Sequence, residues 1–126
     1  MEFTIERFKN IDRVTFSVED INLLVGGNNA GKSSVLQALQ FGVSAAQTAA
    51  IQGGNWNGDR LSTSIGQSDL VYAPIKDVLS LARNGRLRER EEDAIQITYR
   101  DKEDECRVTV RKGRNKNIMI EVVGRA

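Results

Sequence analysis

Ile21-Asn22-Leu23-Leu24-Val25-Gly26-Gly27-Asn28-Asn29-Ala30-Gly31-Lys32-Ser33-Ser34 runs from a short, nearly continuous apolar segment into glycines, and then into a lysine followed by two hydroxyls. Ile21, Leu23, Leu24 and Val25 read as a strand buried on both faces, because an exposed strand would alternate. Beyond Lys32, Leu36, Leu39, Val43, Ala46 and Ala50 recur at three- and four-residue steps. That spacing predicts a helix reaching about Ile51, with these residues as its inward stripe. Strand, glycine loop and helix therefore follow one another without a gap.

Gly26-Gly27-Asn28-Asn29-Ala30-Gly31-Lys32-Ser33 is a complete phosphate-binding P-loop pattern. Such a loop works because successive backbone amides, freed from side-chain bulk, point into one concavity at a helix amino terminus. Gly26 is expected to turn out of the strand, and Gly31 to let the backbone pass close to a phosphate. Lys32 would reach the β- and γ-phosphates, the Ser33 hydroxyl would coordinate magnesium, and Ser34 is placed to donate to the α-phosphate. Gly27, Asn28, Asn29 and Ala30 complete the loop, and asparagine tolerates the left-handed backbone such loops need. The expected ligands are a nucleoside triphosphate and magnesium.

Outward from this centre, Phe3, Ile5 and Phe8 read as one face of a first strand, and Val14, Phe16 and Val18 as a second. Gly53 to Asp59 is rich in turn formers and reads as an exposed loop, with Trp56 either a stacking surface or an anchor. Pro74 opens a short helix with Ile75, Val78, Leu79 and Ala82 inward, stopped at Asn84-Gly85. Arg86 to Asp93 is a solvated charged connection. Three alternating sets, Ile95/Ile97/Tyr99, Cys106/Val108/Val110 and Ile118/Ile120/Val122, predict an antiparallel meander.

The chain has 126 residues, 40% of them hydrophobic, with 18 basic and 17 acidic side chains for a net charge of +1. One core fits this length, and no global field draws the protein onto nucleic acid or an anionic membrane. The single cysteine, Cys106, excludes an internal disulfide framework and suits a cytoplasmic setting. No apolar run approaches the roughly 20 residues that span a bilayer.

With the Phe8-Lys9-Asn10-Ile11 turn before it and Val35-Leu36-Gln37-Ala38-Leu39 after it, the central segment resembles the opening of ABC-type ATPase heads of the RecF, SMC and OLD group, within the AAA-family ATPases. The paired Asn28-Asn29 look more like the OLD and RecF-like branch. The resemblance is dense over residues 3 to 42. It implies an α/β P-loop NTPase fold: the N-terminal lobe of a head, with a mixed sheet, one long helix after the P-loop and an antiparallel β meander. It also implies ATP as the nucleotide, a basic residue near it matching Lys9 or Arg7, and a glutamine that senses magnesium and water. Gln67 is the candidate for that glutamine, and a polar turn explains it equally well.

Hydrolysis also needs an acidic residue at a buried strand end and a group that aligns water. No aliphatic run after Lys32 ends in Asp-Glu, and no Leu-Ser-Gly-Gly-like signature is present. In the family these lie in a second half of the head, and two heads sandwich two ATP molecules. The 126 residues are thus expected to be one partial domain, inactive alone, whose partners are the C-terminal half of its own head and a second head. DNA is a further implied partner, in repair, chromosome maintenance or phage defence. Its local support is Arg107, Arg111, Lys112, Arg114 and Lys116, which also fit a solvated hairpin face. A nucleotide-gated scaffold without turnover is the second class that fits. A small-molecule kinase fits less well, because a meander replaces alternating strand and helix units.

Overall fold

The computed structural model describes residues 1–9, 11–17, 30–52, 55–66, 69–70, 81–82, 87–114 and 117–124. Among them are β1 (Glu2–Phe8), β2 (Ile11–Ser17), α1 (Ala30–Ile51), β3 (Asn55–Asn57), β4 (Arg60–Ile65), β5 (Ile95–Asp101), β6 (Asp104–Lys112) and β7 (Ile118–Gly124), with a 3-10 turn at Glu91–Asp93. The seven strands form one sheet in the order β2-β1-β5-β6-β7-β4-β3, and α1 packs across one face.

Every pairing among the described residues is antiparallel. This differs from the mixed sheet expected from sequence. β1–β2, β3–β4, β5–β6 and β6–β7 are joined by connections too short for a parallel crossover. The strand expected at Ile21 to Val25, which would supply a parallel pair, lies outside the described residues. The helix expected from Pro74 lies outside them too, apart from Leu81 and Ala82, both buried.

β5, β6 and β7 form the expected meander, with Ile95, Ile97, Val108, Val110, Ile118, Ile120 and Val122 buried. β4 extends it: Leu61 lies opposite Val122 and Ile65 opposite Ile118. The expected exposed loop at Gly53 to Asp59 instead contains an edge strand, hairpinned to β4 through Gly58 at φ 70°. Gly58 and Asp59 are the two central residues of this turn, where a glycine at the first suits the positive φ, and Leu61, Thr63 and Ile65 alternate. Trp56, opposite Leu61, is 49% exposed.

Phe3 and Ile5 face α1, and simple alternation would turn Phe8 away from it. Arg7 adopts φ 59°, which breaks the alternation, and Phe8 is fully buried. The apolar face read from sequence is therefore real, although its spacing is irregular for a strand.

The helix turns a different stripe inward from the one expected. Val35, Ala38, Phe41, Ala45 and Ala49 are buried, with Gly42, Ser44 and Thr48 beside them, whereas Leu36 and Val43 are 36% and 47% exposed. The cause is the surface beneath. Strands carrying Ile97, Val108 and Ile120 present bulky branched side chains, and a helix lying close to them needs small residues on its contact side. Leu39 and Ala46 pack at the margin, and Ala50 is exposed.

The other sheet face is polar. Arg60 and Arg111 both meet Glu121, at 3.1 and 3.3 Å, and Arg100 meets Glu2 and Glu105 at 3.1 and 3.5 Å. Each exposed pair contributes little, at most about 1 kcal/mol. The basic cluster read as local support for DNA divides here. Arg107 and Arg111 share this face while Lys112, one residue on, takes the opposite one; Arg111 is held by Glu121 and the Glu89 carbonyl. Lys116 lies outside the described residues. No helix among the described residues is long and apolar enough to cross a membrane.

Candidate nucleotide-binding site

α1 begins at Ala30, so Gly31, Lys32 and Ser33 fall in its first turn. The amides of a first turn lack partners within the helix, and the aligned peptide dipoles place partial positive charge there. Helices commonly satisfy that end with an acidic side chain, but the first turn of α1 has none. Gly26, Gly27, Asn28 and Asn29 lie outside the described residues, as does Gln67. Of its described neighbours, the Gly66 amide donates to Asp69 Oδ2 at 3.1 Å and the Asp69 amide to the Gly66 carbonyl at 3.0 Å. Ser34 is half-buried, just before the buried Val35.

Lys9 and Arg7 both match the basic position of the resemblance, and they make different contacts. Arg7 Nε donates to the Ala94 carbonyl at 2.5 Å, and its guanidinium lies 3.7 Å from Glu6. Lys9 instead points to α1, where its ammonium donates to Gln37 Oε1 and lies 6.0 Å from the centre of the Phe8 ring. Gln37 is four residues after Ser33, roughly 6 Å along the helix axis. The Lys9 contact is thus one turn beyond Ser33 and about two turns from the start of the helix at Ala30.

Lys9 is held there by its backbone. It adopts φ 51°, unfavourable for a residue with a Cβ, and its amide donates to the Leu81 carbonyl at 2.6 Å. Phe8, between the two left-handed residues, is anchored against Phe41 of α1. Sequence spacing carried no signal for the Lys9–Gln37 contact, because it joins a hairpin turn to a helix across the fold.

The family described as "AAA domain, putative AbiEii toxin, Type IV TA system" matches residues 21–98, more than half of the 126-residue chain. The chain belongs to this AAA-domain family. The match starts at the apolar run before the glycines and ends within β5, so it covers the P-loop pattern, α1 and β4. No curated protein and no solved structure matches the chain. The AAA domain is a P-loop ATPase lobe related to the ABC and RecF type, and membership carries nucleotide binding with it.

Proposed function

We propose that this AAA domain is the ATP- and magnesium-binding lobe of a RecF/SMC/OLD-like ATPase. The observation that supports this best is the start of α1 on the Gly31-Lys32-Ser33 motif, with a first turn free of acidic side chains. Gly26 to Gly31 would wrap the phosphates with backbone amides, Lys32 would neutralise the β- and γ-phosphates, and Ser34 would donate to the α-phosphate. Ser33 would hold magnesium, which would supply charge neutralisation at the phosphates. Lys9 would add a second cation, held one turn beyond Ser33.

Residues 1 to 126 are read as a single partial domain. Leu36 and Val43, apolar and exposed on the outer side of α1, support a second half of the same head as the partner packing there, bringing the acidic strand end and the signature. Head-to-head dimerisation and a role on DNA, in repair, chromosome maintenance or phage defence, belong to the parent assembly and rest on the family resemblance.

Calorimetry tests the reading. Mg·ATP is expected to bind the chain, Lys32→Ala to abolish binding, and GTP to bind more weakly. The isolated chain is expected to show no turnover above background; turnover removed by Lys32→Ala would refute the half-site reading. A scaffold gated by nucleotide is the second reading. A parent whose second half lacks an acidic strand end, and which binds ATP without hydrolysing it, would favour it.

A further inference from the structure

In a regular α-helix the Leu39 carbonyl would accept from the Val43 amide, four residues on. In α1 that carbonyl also accepts from a side chain of the sheet. The Tyr99 hydroxyl, from β5, donates to it at 2.8 Å.

The sequence makes room for this contact at one position. A Cβ on Gly42 would fall far inside contact distance of the Tyr99 oxygen and 3.1 Å from Ile97 Cδ1. Glycine in a helix interior is otherwise unfavourable. The phenol itself is fixed: its ring meets Phe3 edge-on at 5.8 Å and 89°, and Tyr99 pairs with Phe3 on one side and Cys106 on the other.

Leu39 lies six residues after Ser33, roughly 9 Å along the axis. Between this bond and the amino terminus, the Lys9–Gln37 hydrogen bond is a further polar tether. Apolar contacts allow a helix to slide, whereas hydrogen bonds to single backbone atoms fix its rotation and height.

We propose that Tyr99 is a positioning residue for the phosphate site: by bonding the Leu39 carbonyl over Gly42 it sets the pose of the helix whose first turn receives the nucleotide. This rests on the reading of that turn as a Mg·ATP site. Tyr99 touches no nucleotide; it acts through α1. Burial keeps the phenol protonated, so the hydroxyl remains a donor at ordinary pH.

The test compares the wild-type chain with Tyr99→Phe, Phe3→Leu and Lys32→Ala by calorimetry with Mg·ATP and by amide NMR. Tyr99→Phe is expected to weaken Mg·ATP roughly five- to tenfold and to shift the Gly31 and Lys32 amide signals, with cooperative unfolding retained. Phe3→Leu, which loosens the same packing but leaves the hydroxyl, is expected to lower stability and keep the affinity. If wild type binds no ATP, the nucleotide reading fails first. If wild type binds and Lys32→Ala does not, wild-type affinity in Tyr99→Phe overturns the positioning role. So would an equal loss in Phe3→Leu, or loss of the fold in Tyr99→Phe, since either would make the hydroxyl merely structural.

Discussion

Phe8 on β1 and Phe41 on α1 pack ring against ring, centroids 5.9 Å apart and planes tilted by 39°, with neither side chain exposed. This contact joins the amino-terminal hairpin to the helix. Phe41→Ala removes a fully buried ring, so it should destabilise the chain by about 3–5 kcal/mol, and Phe41→Leu by under about 1.5 kcal/mol. Urea unfolding of the two variants checks this. Combining Phe41→Ala with Phe8→Ala should cost less than the two separately, because the cavities merge. Simple additivity would mean that the rings do not share a site.

Gly42→Ala ordinarily stabilises a helix interior by about 1 kcal/mol. Here the sign should reverse, since the new methyl group meets the Tyr99 hydroxyl and Ile97. Thermal melts should show a lower Tm for Gly42→Ala alone. In the Tyr99→Phe background the penalty should shrink, because the oxygen in the way is gone. An unchanged penalty would place the conflict at Ile97.

Local pattern carried the meander, because Ile95 to Val122 alternates with period two and each strand buries one face. It also carried the existence and length of α1, from the loop to Ile51. It failed on which face of α1 turns inward. Leu36 and Val43 are larger than Ala38, Gly42 and Ala45, so hydrophobicity favours them, whereas close approach to a branched sheet selects the three small residues around Phe41. β4 was missed although Leu61, Thr63 and Ile65 alternate; Ser62 and Ser64 between them resemble loop composition. The glycine loop, which lies outside the described residues, is read from chemistry that is local in the chain. Lys9–Gln37 and Tyr99–Leu39 were not, since each joins residues 28 or 60 positions apart.

The two faces of α1 make opposite predictions for neighbouring residues. Val43→Lys, at a position 47% exposed, should change stability by no more than about 0.5 kcal/mol. Ala45→Leu forces extra volume into a position with no exposed surface, and should cost about 1–3 kcal/mol. Denaturant midpoints for the two variants decide it. A large loss with Val43→Lys would restore the stripe of Leu36, Leu39, Val43, Ala46 and Ala50 as the inward face.

Alkaline pH should destabilise the chain through Tyr99. Burial pushes its pKa well above the ordinary phenol range, the neighbouring Cys106 adds to the rise, and the Val43 amide opposes it. An unfolded tyrosine ionises near pH 10, so above that pH the unfolded chain loses a proton that the folded chain keeps. The native state then binds more protons, and stability falls as pH rises. The contribution is intact below about pH 10 and is lost progressively toward the higher folded value. Cys106, raised by its own burial, acts with the same sign from a lower starting pH. Measured in a Cys106→Ser background to separate the two, denaturant midpoints should fall above pH 10 and fall less steeply in Tyr99→Phe. Equal slopes would mean that the phenol ionises freely in the folded chain, which its burial and its bond to the Leu39 carbonyl forbid.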